Sequence, residues 1–208
     1  MDISLFLIIF FISLVIVFVE SAFKMGYGLL TPILLLFGFE FIIVLGTLLL
    51  SQIFVGLSKT IFHAINYKIN YPKETQENVE LPLILIIFGA IGSFLGFILV
   101  VFIPSLYIIY YIGFMIIVIG ILTILNNYLF KLEYSDPFFF LISSVSGFNK
   151  VLSGAGYGHV ITFRQLIKGE QYGKYEGISA LSEAFVSGVG FLLYFIYFGF
   201  SVINWNLM

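Results

Sequence analysis

Met25-Gly26-Tyr27-Gly28 returns as Ala155-Gly156-Tyr157-Gly158 after a shift of 130 residues, and what surrounds the two copies decides how the chain is organised. Each copy follows a long apolar stretch. Each precedes a short apolar run and then a longer segment striped with small and polar residues. With one residue inserted, Gly46 falls on Gly177, Ser51 on Ser182 and Gln52 on Glu183. Gly-Tyr-Gly alone could recur by chance in a chain with 20 Gly and 13 Tyr. The shared order of segments at a fixed shift is what marks a duplicated architecture.

Composition says where such a chain resides. Of 208 residues, 61% are hydrophobic and only 10% charged, whereas a water-soluble domain carries about 25% charged residues. Apolar segments fall at about 3–21, 29–37, 41–65, 81–103, 106–130, 137–153, 159–167 and 175–203. These eight predict an all-α integral membrane protein. The first lacks a basic leader and a small-residue cleavage site, and Glu20 closes it, so it is expected to stay as a permanent span. A helix needs about 20 residues to cross hydrocarbon, so 29–37 and 159–167 are expected to be short or half-spanning. A helix stopping inside the bilayer is tolerated only where protein or a cavity surrounds it.

Five segments separate the copies, an odd number, so the second copy is expected to lie inverted relative to the first. Residues 1–130 form the first repeat plus a helical hairpin, and 131–208 the second repeat without one, within a single membrane domain. Inverted repeats with Gly-interrupted segments at matching places point to a transporter's binding site. Basic residues agree on topology. With both termini outside, Lys24, Lys59, Lys68, Lys73, Lys131, Arg164, Lys168 and Lys174 fall inside and only Lys150 outside. The positive-inside rule then puts the hydrophilic Asn66–Glu80 loop in the cytoplasm of a multi-pass cell-membrane protein. Either the missing hairpin is dispensable or a second subunit covers that face, which would make a homodimer.

Several chemistries lose their markers. The net charge of -2 and the lack of a basic run argue against nucleic acid. Without cysteine there is no disulfide, thiolate metal site or thiol catalysis, and His63 and His159 lack ligand spacing. No metal, no cofactor and no catalytic group is expected, and the partners reduce to a small anionic solute and the lipid bilayer. Glu183 is the most informative residue. It lies within a helical stripe of Ser179, Ser182, Ser187 and Gly190, where a carboxylate costs about 2.5–3.5 kcal/mol at membrane depth. It is read as a proton-coupling or gating group, or else as a carboxyl that hydrogen-bonds helices together. Helices beginning at Gly26-Tyr27-Gly28 and Gly156-Tyr157-Gly158 would aim positive dipole ends at an anion, with Thr31 and Thr162 adding hydroxyls. The same glycines would equally serve close helix packing. Ser51 and Gln52 take the corresponding place in the first copy. Asn149, Lys150, Ser153 and His159 gather around the second Gly-rich break. Lys150 is read as an attractor of anions, a partner for an acid such as Glu20, or a snorkelling lysine. His159 is read as a second proton group or an interfacial histidine. Tyr27 and Tyr157 either gate the site or pack.

These residues resemble the TauE/SafE sulfite-exporter-like permeases. Gly26, Gly28, Pro32, Gly38 and Gly46-Thr47 look like that family's first glycine-rich motif, and Ser153-Gly154, Gly156, Gly158 and Gly177 like its second. Tyr27 and Tyr157 replace the family's middle glycine, and Thr162 stands where the second proline is expected. The resemblance implies a permease for sulfite, sulfonates or related sulfur anions, coupled to ion or proton movement. A non-transporting membrane scaffold or assembly protein is the rival reading.

Overall fold

The computed structural model describes residues 3–23, 26–70, 80–129, 136–154, 172–205 and 207. Those residues form seven α-helices and a closing 3-10 turn, with no strand among them. The helices are α1 (Ile3–Phe23), α2 (Gly26–Leu36), α3 (Phe41–Asn70), α4 (Glu80–Phe102), α5 (Ser105–Leu129), α6 (Asp136–Ser153) and α7 (Tyr172–Phe198), and the 3-10 turn covers Gly199–Val202.

Three of these helices, over Phe41–Asn66, Leu83–Phe102 and Gly177–Val202, are long and apolar enough to cross a membrane, and Ile3–Ile16 and Ser105–Val118 are shorter apolar helices. The bundle carries its apolar side chains outward. Phe10, Phe18, Phe62, Phe94, Phe102, Phe114 and Ile196 are exposed, whereas Thr31, Thr47, Gln52, Ser93, Asn149, Lys150 and Ser187 are buried. In water that distribution is a heavy liability. Against lipid tails it is the favourable one, because burying polar groups among helices spares them hydrocarbon.

Most segment limits agree with the sequence pattern, and three differ. First, the apolar run 29–37 starts earlier as a helix: Gly26, Tyr27 and Gly28 make the first turn of α2, where the sequence also allowed a short helix to begin. That helix has only 11 residues, about 16 Å, and Pro32 inside it has no N–H to give the Gly28 carbonyl. It stops at Gly38, whose φ of +87° closes the end while Phe39 N–H donates to Leu34 O at 3.3 Å and Gly38 N–H to Leu35 O at 3.0 Å. The second difference is in the hydrophilic loop, whose first residues continue α3 as far as Asn70. Third, the last apolar segment ends as a helix at Phe198, since Gly199 takes a φ of +72° and the chain tightens into the 3-10 turn. The run 159–167 lies outside the described residues.

Small residues bring the helices together. The α4 and α6 helices run parallel, with Phe88 stacked on Phe140, Gly92 against Ser144 and Gly96 against Phe148. Ser93 Oγ donates to Gly147 O at 3.2 Å. The α3 and α7 helices run antiparallel: Gly190 meets Leu49, Ser187 reaches Gln52, Gly56 lies on Ala180 and Ala184, and Gly177 meets His63. Two apolar clusters complete the interior. One holds Ile9, Ile16, Leu30, Leu34, Val44 and Leu48 across α1, α2 and α3. The other joins α3 to α7 around Leu45, Leu49, Phe97, Ile112, Val151 and Tyr194.

The segment after α7 folds back on the start of α3. Val202 is fully buried over Gly46, where an added Cβ would lie 1.7 Å from Val202 Cγ1. Thr47 Oγ1 donates to Val202 O at 3.4 Å and accepts from Asn204 N–H at 2.9 Å. The Gly46-Thr47 pair thus has a packing role here.

A Cβ at Gly92 would lie 1.8 Å from Ser144 O, and one at Gly147 2.0 Å from Gly89 O, while one at Gly113 meets nothing within 4 Å. Gly92→Val and Gly147→Val are therefore expected to cost about 3 kcal/mol or more by overpacking, and to remove the monodisperse peak on detergent size-exclusion chromatography. Gly113→Ala is expected to keep it.

Candidate functional site

The functional geometry is built on one face of α6. Ser146, Asn149, Lys150 and Ser153 follow i, i+3, i+4 and i+7 spacing, so they share a face. All four are buried. In a water-soluble protein that stripe would face solvent; here it points into the bundle.

That helix ends within the protein. Its last turns leave carbonyls without helical partners, and neighbouring helices satisfy them. Gly154, at a φ of +74°, turns the chain so that its N–H still bonds Lys150 O at 2.9 Å. Thr31 Oγ1 of α2 donates to Ser153 O at 2.7 Å, and Gln52 Nε2 of α3 donates to Gly154 O at 2.7 Å. Ser187 Oγ of α7 donates to Gln52 Oε1 at 3.4 Å and so braces the amide. Ser153 Oγ returns to Asn149 O at 2.8 Å, Tyr194 OH donates to Val151 O at 3.1 Å, and Tyr111 OH of α5 donates to Asn149 Oδ1. Gln52 stands near the middle of the apolar stretch Phe41–Asn66. The end of α6 is therefore level with the middle of that helix.

At this end sits an ion pair. Lys150 Nζ donates to Glu183 Oε1, with side-chain exposures of 1% for the lysine and 15% for the glutamate. Lys150 stands in the last turn of α6, where a cation suits the negative end of the helix dipole. Glu183 stands about 9 Å inside the Gly177–Val202 stretch, measured along the helix. The pairing answers the cost of a lone carboxylate at that depth. It also corrects one reading, since a lysine buried and paired with Glu183 does not snorkel to the interface; the side chain of Glu20 lies outside the described residues.

The remaining sequence-derived residues divide clearly. Thr31, Gln52, Asn149, Lys150, Ser153 and Glu183 converge on the end of α6. In this conformation Thr31 hydrogen-bonds protein backbone. Ser51 and Ser182 bond carbonyls of their own helices, Leu48 O at 2.9 Å and Ile178 O at 2.9 Å. Ser179 is half-buried on α7, Gly28 is buried in α2, and Gly26 and Tyr27 belong to the first turn of α2. Gly156, Tyr157, Gly158, His159 and Thr162 lie outside the described residues. Sequence reasoning missed Tyr111, Tyr194 and the carbonyl of Gly154. Ser187 had a signal, one turn beyond Glu183 on the same stripe. Tyr111 had none, standing in an apolar hairpin. Among the described residues no cluster of metal-ligating side chains occurs.

Removing one partner from a buried pair leaves a charge without compensation, at about 3–5 kcal/mol. Lys150→Met is therefore expected to lower the melting temperature in detergent sharply. Lys150→Met combined with Glu183→Gln is expected to recover most of the loss. A double variant as unstable as the single one would show that the pair's charge is not what matters.

The polar interior of this lipid-facing bundle has a counterpart among known proteins. The family model described as Sulfite exporter TauE/SafE matches residues 9–208. No curated protein and no solved structure matches the chain. The match runs through the helices that build the α6 terminus and its ion pair. The chain therefore belongs to the TauE/SafE family, a family of membrane transporters, and is a multi-pass membrane protein.

Proposed function

We propose that this protein is a permease that carries small anions, namely sulfite, sulfonates or related sulfur compounds, across the cell membrane, coupled to proton or ion movement. The observation that carries the reading is a buried lysine–glutamate pair at a helix end inside a bundle whose outer surface is apolar. A scaffold has no need of a charged interior; a path for a charged solute has. Family membership supports the same class of activity and favours transport over an enzymatic role.

The substrate-binding groups in this reading are Gly26, Tyr27, Gly28, Thr31, Ser51, Gln52, Asn149, Lys150, Ser153, Gly156, Tyr157, Gly158, His159, Thr162, Ser179 and Ser182, with Glu183 as the proton-coupling group. Eight membrane segments form two inverted repeats, 1–130 and 131–208. Support comes from the antiparallel packing of α3 on α7, the helices that carry the matching residues Gln52 and Glu183. Helices related by an inverted repeat cross the membrane in opposite directions, as that packing requires. In the same reading the Asn66–Glu80 region is cytoplasmic, both termini are outside, and the protein works as a homodimer.

Thermal stabilisation of the purified protein tests the substrate class, because a ligand that binds the native state stabilises it. Sulfite and sulfonates are expected to raise the melting temperature and to move in proteoliposome flux assays. Stabilisation by cations or neutral solutes alone would refute the anion reading, and absent flux for every anion would favour the scaffold. The chain has no cysteine, so orientation can be read from one introduced thiol. Glu77→Cys is expected to react with an impermeant maleimide only after the membrane is opened, and labelling in intact cells would reverse the topology.

A further inference from the structure

We infer that a cavity between α4, α5 and α6 seats the acyl tail of a membrane lipid, and that this tail backs the ring of Tyr111 where its hydroxyl holds Asn149. Such a site needs only the protein's membrane residence, whichever solute is carried.

The cavity has a volume of about 140 Å³. Leu99 of α4 and Ile103 just after it form one wall. Tyr107, Ile108 and Tyr111 of α5 form a second, and Phe148 and Leu152 of α6 a third. The space follows from the sizes of the residues that meet. Glycines let α4 and α6 touch backbone to backbone at Gly92 and Gly96. The α5 helix approaches them through Ile108, Tyr111 and Ile112 instead, and so stands further off.

Water is a poor occupant. The only polar groups among the lining side chains are two phenols, and the Tyr111 hydroxyl is already given to Asn149 Oδ1. An ordered water needs two to four polar partners, whereas an apolar cavity of about 150 Å³ stays dry and accepts a small hydrocarbon such as benzene. Left empty, the walls forfeit their dispersion contacts. The hydrocarbon at hand is lipid. Tyr107 on one side of the cavity is 64% exposed, while Ile108 and Leu152 on the other are buried. Phe102, Leu106 and Tyr110, neighbours of the lining residues in the chain, are exposed too, so the cavity is continuous with the lipid-facing surface. Its mouth lies at the turn from α4 to α5, where the Tyr107 phenol suits the boundary between headgroups and tails. A tail entering there meets Tyr111 about 6 Å further along the helix.

Tyr111 meets Phe148 edge to face, with ring centroids 6.2 Å apart, and both rings line the cavity. A seated tail therefore limits the tilt of the Tyr111 ring and steadies its hold on Asn149, one residue before Lys150. Lipid thus reaches the end of α6 by packing alone.

The purified full chain in phosphatidylcholine nanodiscs, with a fraction of the lipid bearing a diazirine in its tail, tests the site. Photolysis and peptide mapping are expected to place adducts on Leu99, Ile103 and Tyr107 in excess over Phe94 and Phe114, which are exposed but do not line the cavity. Ile103→Trp, whose indole fills the space, is expected to lose the cavity adducts and keep those at Phe114. In lipid-free detergent its melting temperature is expected to exceed the parent's, and added phosphatidylcholine to raise it less. Tyr111→Phe keeps the ring without the hydroxyl, so it is expected to keep the adducts while gaining less stability from lipid than the parent does. Even labelling of the lining residues, Phe94 and Phe114 is ordinary lipid contact and overturns the site. Cavity adducts that persist in Ile103→Trp overturn it as well. Cavity adducts absent from the parent, with Tyr107→Cys linking two copies by a disulfide, would give the space to a second copy of the chain and overturn the lipid. A lipid effect in Tyr111→Phe equal to the parent's overturns the link to Asn149. Should Ile103→Trp fail to fold, Leu99→Phe fills part of the same space and takes its place.

Discussion

A helix that ends inside a membrane protein leaves carbonyl groups that neither water nor lipid satisfies, and much of this fold answers that constraint at the end of α6. The free carbonyls there attract donors from every side. Thr31 comes from α2, Gln52 from α3, and Tyr194 of α7 reaches the Val151 carbonyl. Each donor fixes the helix that bears it. The polar groups therefore do more than fill space, because they set how deep each neighbouring helix sits against α6. The hydrophobic effect cannot do this between helices in lipid, where tails are as apolar as leucine.

Two consequences follow for packing. Close approach needs small residues, and Gly92, Gly96 and Gly147 let α4 and α6 touch backbone to backbone. The α3–α7 pair meets through Gly56, Ala180, Ala184 and Gly190 in the same way. Meanwhile the large apolar side chains are free to face outward, and α1 is an example, with Phe10, Phe11, Leu14, Val15 and Phe18 exposed. The inside-out distribution and the buried polar knot have one origin in the solvent.

The knot also explains how a chain so poor in charge keeps an ion pair at depth. Lys150 and Glu183 neutralise each other, and the dipole of α6 favours the lysine. Such a pair is seldom a good source of stability. In the transport reading proposed above, the pair serves the passage of a charged solute rather than stability.

Much of the fold was legible beforehand. Apolar runs and their breaks give the helices to within a few residues, because lipid demands long apolar stretches whatever their neighbours are. Gly38 and the Pro104-Ser105 turn mark ends that local chemistry alone decides. The chain's residence in a membrane was equally readable, and so was the need of Glu183 for a partner, since a carboxylate within an apolar segment is costly wherever it packs. What only the tertiary structure decided is partnership. The sequence offered Lys150 an acid such as Glu20, and the fold sets Glu183 against it. Tyr111 stood in an apolar hairpin with nothing to mark it as a partner of Asn149. Partners depend on which faces meet, and those faces meet through glycine contacts spread over four helices that no local pattern encodes.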